Sequence, residues 1–213
     1  MFTALNHIPS TDPALGLTTS NAYRYRIAIT AFCVIGGLCG TLLTAPDVFE
    51  GTPLDHLCDT LGWIVLTVAI LLRLWSSTHI SGQKSKSLVT TGPYALCRNP
   101  QYVGTLLIAI SQMLFLKSWP FALASIFPIV LYVIGVVPAE ERLLRQRFGT
   151  TYLDYYCAVP RWSLRWNSLN FEWSRPQCWP AFRNECVRCV WWLLLPFASE
   201  FISALRELIA ITN

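Results

Sequence analysis

Apolar residues in this chain gather into long runs rather than alternating with polar ones, which predicts helices buried on every side rather than half-buried strands. A first run covers Ile27 to Ala45, and its 19 residues reach roughly 28 Å as a helix, about one hydrocarbon core. A second begins near Leu61 and ends at Arg73-Leu74-Trp75, where an arginine can snorkel outward and a tryptophan can sit among headgroups. Two more, Tyr102 to Leu116 and Phe121 to Val137, are separated only by Lys117-Ser118-Trp119-Pro120, which predicts a tight helical hairpin. The last, Val190 to Ile211, is interrupted by Pro196 and carries Glu200, Arg206 and Glu207, each costing about 2.5 to 3.5 kcal/mol at a lipid-facing helix centre. The expected fold is therefore an all-α integral membrane protein with about four transmembrane helices. A cytoplasmic amphipathic helical segment follows them, and a fifth membrane or interfacial helix ends the chain.

Charge orients these helices. Residues 46 to 60 hold Asp47, Glu50, Asp55 and Asp59 without Lys or Arg, whereas residues 76 to 101 hold Lys84, Lys86 and Arg98, and the stretch after Val137 is rich in Arg. The positive-inside rule places the N-terminus, the second loop and the tail in the cytoplasm, of a bacterial inner membrane or the endoplasmic reticulum. No short apolar core with a small-residue cleavage site precedes Arg24 and Arg26, so no cleaved signal peptide is expected. The chain divides into a cytoplasmic segment 1–26, a four-span region 27–137, a cytoplasmic segment 138–162 and a tail 163–213 with an apolar helix.

Composition agrees with the pattern. Of 213 residues 54% are hydrophobic and 13% charged, half the charged share of a soluble domain, and mean hydropathy is +0.44. A net charge of +4 without a Lys/Arg-rich run gives no footprint for nucleic acid. Among eight cysteines, Cys186-Val187-Arg188-Cys189 has metal-pair spacing, but with no second pair and no nearby histidine it reads as two ordinary reduced thiols, and no metal site is expected.

Two polar clusters remain once the spans are set aside. The first runs from Val89 through Gly92-Pro93-Tyr94 to Arg98-Asn99-Pro100-Gln101-Tyr102-Val103-Gly104. Asn99 suits a helix N-cap, Pro100 the first helical position, and Tyr102 an aromatic belt. The second runs from Pro138-Ala139-Glu140-Glu141 through Arg147-Phe148-Gly149 to Asp154-Tyr155-Tyr156. Here the glutamates suit a helix start, Glu141 can pair with Arg145, and Gly149 can end the helix. Helix-building roles do not explain why both clusters fall on one membrane face, at the two ends of one hairpin. That placement sets polar groups beside an apolar wall, as a polar cofactor and a membrane-soluble substrate would need.

GPYALCRNPQYVG, a two-span hairpin and EERLLRQRFGTTYLDYYCAVPRW together resemble the isoprenylcysteine carboxyl methyltransferase family and its phospholipid methyltransferase relatives, over about Arg73 to Trp162. The resemblance implies an integral-membrane methyltransferase that uses S-adenosylmethionine at the cytosolic face, without a Rossmann sheet. No glycine-rich dinucleotide motif occurs in the chain. Carried over by motif position, the cofactor-site residues are Tyr94, Arg98, Asn99, Pro100, Tyr102, Gly104, Glu140 and Glu141, with no catalytic residue assigned. Family members commonly have His after the Arg, whereas this chain has Asn99, which hydrogen-bonds but cannot titrate.

The implied acceptor is a lipophilic or lipidated molecule reached from the bilayer. A carboxylate acceptor is already ionised and needs no base, whereas the amine of a phospholipid needs one, with Glu140, Glu141, Asp154 and His79 as candidates and His79 expected to face solvent. Two readings of other classes stand beside these: a membrane NADPH-dependent reductase, and a non-catalytic assembly protein. At least one of the substitutions Glu140→Gln and Glu141→Gln is expected to weaken binding of S-adenosylhomocysteine about tenfold or more while leaving the melting temperature nearly unchanged.

Overall fold

A computed structural model describes residues 21–45, 47–83, 86–163, 165 and 178–212. The described residues are helical with turns and contain no strand. Four stretches are long and apolar enough to cross a membrane, Arg24–Leu43, Pro53–Ile80, Trp119–Ala158 and Trp179–Arg206, and Pro100–Leu116 adds a shorter apolar helix of 17 residues. The elements are α1 (Asn21–Leu43), α2 (Pro53–Ile80), a single turn α3 (Pro93–Leu96), α4 (Pro100–Leu116), α5 (Trp119–Val130), α6 (Val137–Ala158), α7 (Trp179–Leu193) and α8 (Leu195–Thr212). The all-helical membrane architecture expected from the apolar runs is present.

Local chemistry sets the boundaries. Thr52 caps α2 by accepting from the Asp55 amide at 3.2 Å, with Pro53 in the first turn, so the helix starts well before Leu61. Asp55 and Asp59 are tolerated there because Lys117, which ends α4 in the left-handed conformation at φ 45°, pairs with both. Pro128 lies inside α5 and lacks an N–H, and the chain continues as a π-helical turn, Leu131–Val136, before α6. Within α6 Gly149 takes φ 54° and ψ −125°, which only glycine adopts readily, so the chain bends there and resumes helix to Ala158.

The bundle core joins Leu66, Ala69 and Ile70 of α2, Ile108 and Phe115 of α4, and Cys189 of α7. Apolar burial does not drive helices together in lipid, so polar pins between helices carry weight. At the end holding the α2 N-terminus, Thr41 and Ser118 share a hydrogen bond of 2.8 Å. There Arg206 of α8 donates to the carbonyls of Thr44 and Ala45, the unpaired acceptors at the end of α1. Near the other end Arg73 meets Glu185 of α7 at 2.7 Å. Between these two pins Trp63 of α2 touches Phe197 of α8, with ring centroids 6.2 Å apart.

These contacts settle the last apolar segment. From Glu185 beside Arg73, past Phe197 beside Trp63, to Arg206 beside Ala45, α7 and α8 run the length of the bundle as a further pass, bent near Leu194. Its charges are accommodated individually: Arg206 is buried against backbone carbonyls, whereas Glu200 is exposed. Because the pass crosses the bundle, its far end lies with the α2 N-terminus rather than with the loop after α2, where the tail was expected. Arg73 and Trp75 also depart from expectation, being 8% and 7% exposed rather than at headgroup level, because Glu185 supplies a counter-charge inside the bundle.

Candidate functional site

Both polar clusters meet at the end of the bundle formed by the α2 C-terminus, α3, the α4 N-terminus and α6. Gly92 opens the first cluster with φ 59°, and a side chain there would collide with the ring of His79. His79 is 4% exposed, which corrects the expectation of a solvent-facing imidazole. Its Nδ1 lies 3.0 Å from the Trp75 carbonyl, so that nitrogen carries the proton, and its Nε2 has no hydrogen-bond partner among the described residues. The ring thus serves as a packed spacer beneath the Gly92 turn.

Asn99 occupies the N-cap position of α4 but makes no side-chain cap bond. Its amide Nδ2 instead donates to Glu141 Oε1 at 2.9 Å. Glu141 is 5% exposed and gathers three partners. Arg98 Nε lies 3.3 Å from Oε1 as a charge contact without hydrogen-bond alignment, and Arg161 Nε and Nη2 donate to Oε2 at 3.0 and 2.5 Å. The expected Glu141 pair with Arg145 is replaced by these longer-range partners. Glu140, half-buried on the next face of α6, accepts from the Tyr102 hydroxyl at 2.6 Å, and Tyr102 stands 6.0 Å from the ring of Tyr132 in the π-helical turn.

The segment after Gly149 folds back over the first cluster. Tyr155 donates its hydroxyl to the Tyr94 carbonyl at 2.7 Å, and Arg98 stacks on Tyr156 at 3.8 Å from the ring centre while donating to that residue's carbonyl at 2.6 Å. Backbone bonds from Arg98 to Pro160, at 2.9 Å, and from Arg165 to Leu96, at 3.0 Å, complete the closure. Burial inside this closure pushes the Cys97 thiol up to about 11. Glu141 holds the Arg161 guanidinium above its ordinary range, hydrogen bonding outweighing desolvation.

Of the residues carried over from the motifs, Tyr94, Arg98, Asn99, Tyr102, Glu140 and Glu141 therefore come together, with Pro100 buried at the first turn of α4. Gly104 does not join them: it lies against the aliphatic stem of Arg73, on the α2 side of α4. Asp154 is exposed. Arg161, Tyr155 and Tyr156 belong to the site and were not selected from sequence. The only sequence sign of Arg161 was its place at the end of the motif, after Pro160, since a lone arginine in a tail ordinarily marks a solvated surface.

Beside the polar cluster lies a cavity of about 310 Å³ lined by Val103, Leu106, Leu107, Val133 and Trp162. Three of these come from α4 and one from the π-helical turn, and Val103 and Trp162 directly follow Tyr102 and Arg161 of the polar cluster in the chain. Among the described residues no group of three or more His, Cys, Asp or Glu is placed to hold a metal ion.

Residues 57–151, from the second turn of α2 to just past the Gly149 bend, match the phospholipid methyltransferase family. The chain is 32% identical over 103 residues to protein-S-isoprenylcysteine O-methyltransferase B of Arabidopsis thaliana, covering 47% of this chain and 52% of that protein. It is 29% identical over 177 residues to the cobalt-zinc-cadmium resistance protein CzcN of Cupriavidus metallidurans, covering 83% of this chain and 81% of that protein. A nickel-cobalt-cadmium resistance protein, NccN of Alcaligenes xylosoxydans xylosoxydans, is also 29% identical, over 184 residues that cover 86% and 85%. No solved structure matches the chain. The resemblance to the isoprenylcysteine carboxyl methyltransferase family thus holds, and it is carried by the segment that builds the site.

Proposed function

We propose that this protein is an integral-membrane methyltransferase that takes its methyl group from S-adenosylmethionine and passes it to a lipophilic acceptor. The observation that carries the reading is the junction of a buried donor-rich cluster, Arg98, Asn99 and Arg161 around Glu141, with an apolar cleft of about 310 Å³. A zwitterionic, hydroxyl-bearing cofactor fits the first surface, and a prenyl or acyl chain fits the second. S-adenosylmethionine supplies an electrophilic methyl on a sulfonium, and the protein's share is alignment and the exclusion of water.

The arrangement also bears on the acceptor. Glu141 is held by three partners, His79 is locked against Gly92, and Asp154 is exposed, so none of them is poised to take a proton from an amine. Glu140 is a half-buried carboxylate, and it already accepts from Tyr102. An acceptor that needs no base, a carboxylate on a lipid-anchored molecule, accords with this set better than the amine of a phospholipid.

Isothermal titration of the detergent-solubilised protein tests the reading. S-adenosylhomocysteine should bind and raise the melting temperature, and labelled S-adenosylmethionine should mark an acceptor with a long apolar chain in lipid extracts. Stabilisation by NADPH instead would make the chain a reductase, and stabilisation by neither would leave an assembly protein. Equal turnover of a short water-soluble acceptor would remove the role of the cleft.

A further inference from the structure

Tyr152 is the largest fully buried side chain among the described residues, at 1% exposure. Its ring packs on Tyr155 and Tyr156, with centroids 6.1 and 6.3 Å away, inside a cluster completed by Leu88, Leu144, Phe148 and Val159. Its hydroxyl, however, has no hydrogen-bond partner among the described residues. A phenylalanine would pack the same ring without the cost of burying an unpaired polar group. Tyr156, on which the Tyr152 ring packs, carries the Arg98 guanidinium 3.8 Å from its own ring centre, which places Tyr152 beside the site, and Glu141, Arg98 and Arg161 are the charged groups acting on the hydroxyl.

The chemistry of the surroundings narrows what the hydroxyl awaits. Arg98, Arg161 and Asn99 are all donors, and the acceptor they share is the one carboxylate of Glu141. Around the Tyr152 hydroxyl two guanidinium groups face the one carboxylate of Glu141, while Glu140 is engaged by Tyr102 on the next face of α6. The Arg161 side chain keeps 33% of its surface exposed, so the protein does not enclose it fully. A donor-rich surround with an unpaired phenol suits a second carboxylate.

We infer that the Tyr152 hydroxyl, together with Arg161, forms a binding site for the free carboxylate of a ligand. The inference rests on the methyl-transfer reading, in which two such carboxylates exist: that of the amino-acid part of S-adenosylmethionine and that of a prenylcysteine acceptor.

The test uses the full-length protein in detergent and the variant Tyr152→Phe. Titration probes are S-adenosylhomocysteine, its decarboxylated analogue, a farnesylated cysteine and the corresponding cysteine amide. Without ligand the variant should melt at or above the wild-type temperature, since it loses an unpaired buried group. If the site takes the cofactor's carboxylate, the variant binds S-adenosylhomocysteine about tenfold more weakly and the decarboxylated analogue as wild type does. If it takes the acceptor's carboxylate, S-adenosylhomocysteine binding is unchanged and the wild-type preference for the farnesylated acid over its amide disappears. Wild-type-like binding of all four probes overturns the inference while leaving methyl transfer intact, as does a fall of several degrees in the ligand-free melting temperature. Failure of the wild-type protein to bind any of the probes overturns the methyl-transfer reading, and the inference with it.

Discussion

Substituting Glu141 by Gln separates a helix-start decoration from the keystone of a buried charge cluster. As a surface residue in the first turn of a helix, Glu141 would contribute only about 0.3 to 1 kcal/mol through the helix dipole. In the structure it is 5% exposed, its Oε1 accepts from Asn99 at 2.9 Å, and its Oε2 accepts twice from Arg161. Arg98, whose side chain is 7% exposed, lies 3.3 Å away and would lose its counter-charge inside the protein. Removing one partner of a buried ion pair costs about 3 to 5 kcal/mol. Arg161 is partly hydrated and would recover some of that, so the expected loss is about 3 kcal/mol. At roughly 2 to 4 °C per kcal/mol for a chain of this size, the melting temperature of the ligand-free protein should fall by roughly 6 to 12 °C. Glu140→Gln is the internal control. That carboxylate is half-buried and has the Tyr102 phenol as its hydrogen-bond donor, so its loss should cost about 1 kcal/mol while weakening S-adenosylhomocysteine binding. Thermal melting of both variants in one detergent decides the matter. A shift under about 2 °C for Glu141→Gln would show that the cluster contributes no net stability and refute the reasoning.

Other expectations follow from the same contacts. Glu185→Gln leaves Arg73 buried without its counter-charge, although the bonds to Thr105 and the Gln101 carbonyl remain, and should destabilise the detergent-solubilised protein by about 3 kcal/mol by thermal melting, with a wild-type melting curve as the contrary result. Cys97, with its thiol raised to about 11 by burial, should stay protonated and unlabelled by maleimide at pH 8 while exposed Cys157 reacts within minutes. Labelling of Cys97 at a comparable rate would show the closure over it to be open in solution. A tag fused after Asn213 should be accessible from the same side of the membrane as engineered cysteines at positions 47–52, and from the side opposite to engineered cysteines at 86–98. Accessibility of the tag together with the latter would mean that α7 and α8 do not cross.

The run lengths determined from sequence alone that this is an all-helical membrane protein, because a hydrocarbon core demands about 20 apolar residues wherever a helix crosses. The hairpin of α4 and α5 was legible for the same reason, and with it the meeting of the two polar clusters. Two clusters at the ends of one tight antiparallel pair must return to one membrane face. The sequence could not reveal which residue pairs with which. Glu141 faces Arg161 rather than Arg145 because the chain reverses after Gly149 and lays residues 150–163 across the α3 turn, so a partner 20 positions away arrives closer than one a helical turn away. Arg73 stays inside the bundle, and the final apolar segment crosses it, for a linked reason. An intramembrane charge is costly alone and tolerable when paired, and Glu185, 112 positions along the chain, is brought to Arg73 only by the packing of α7 on α2.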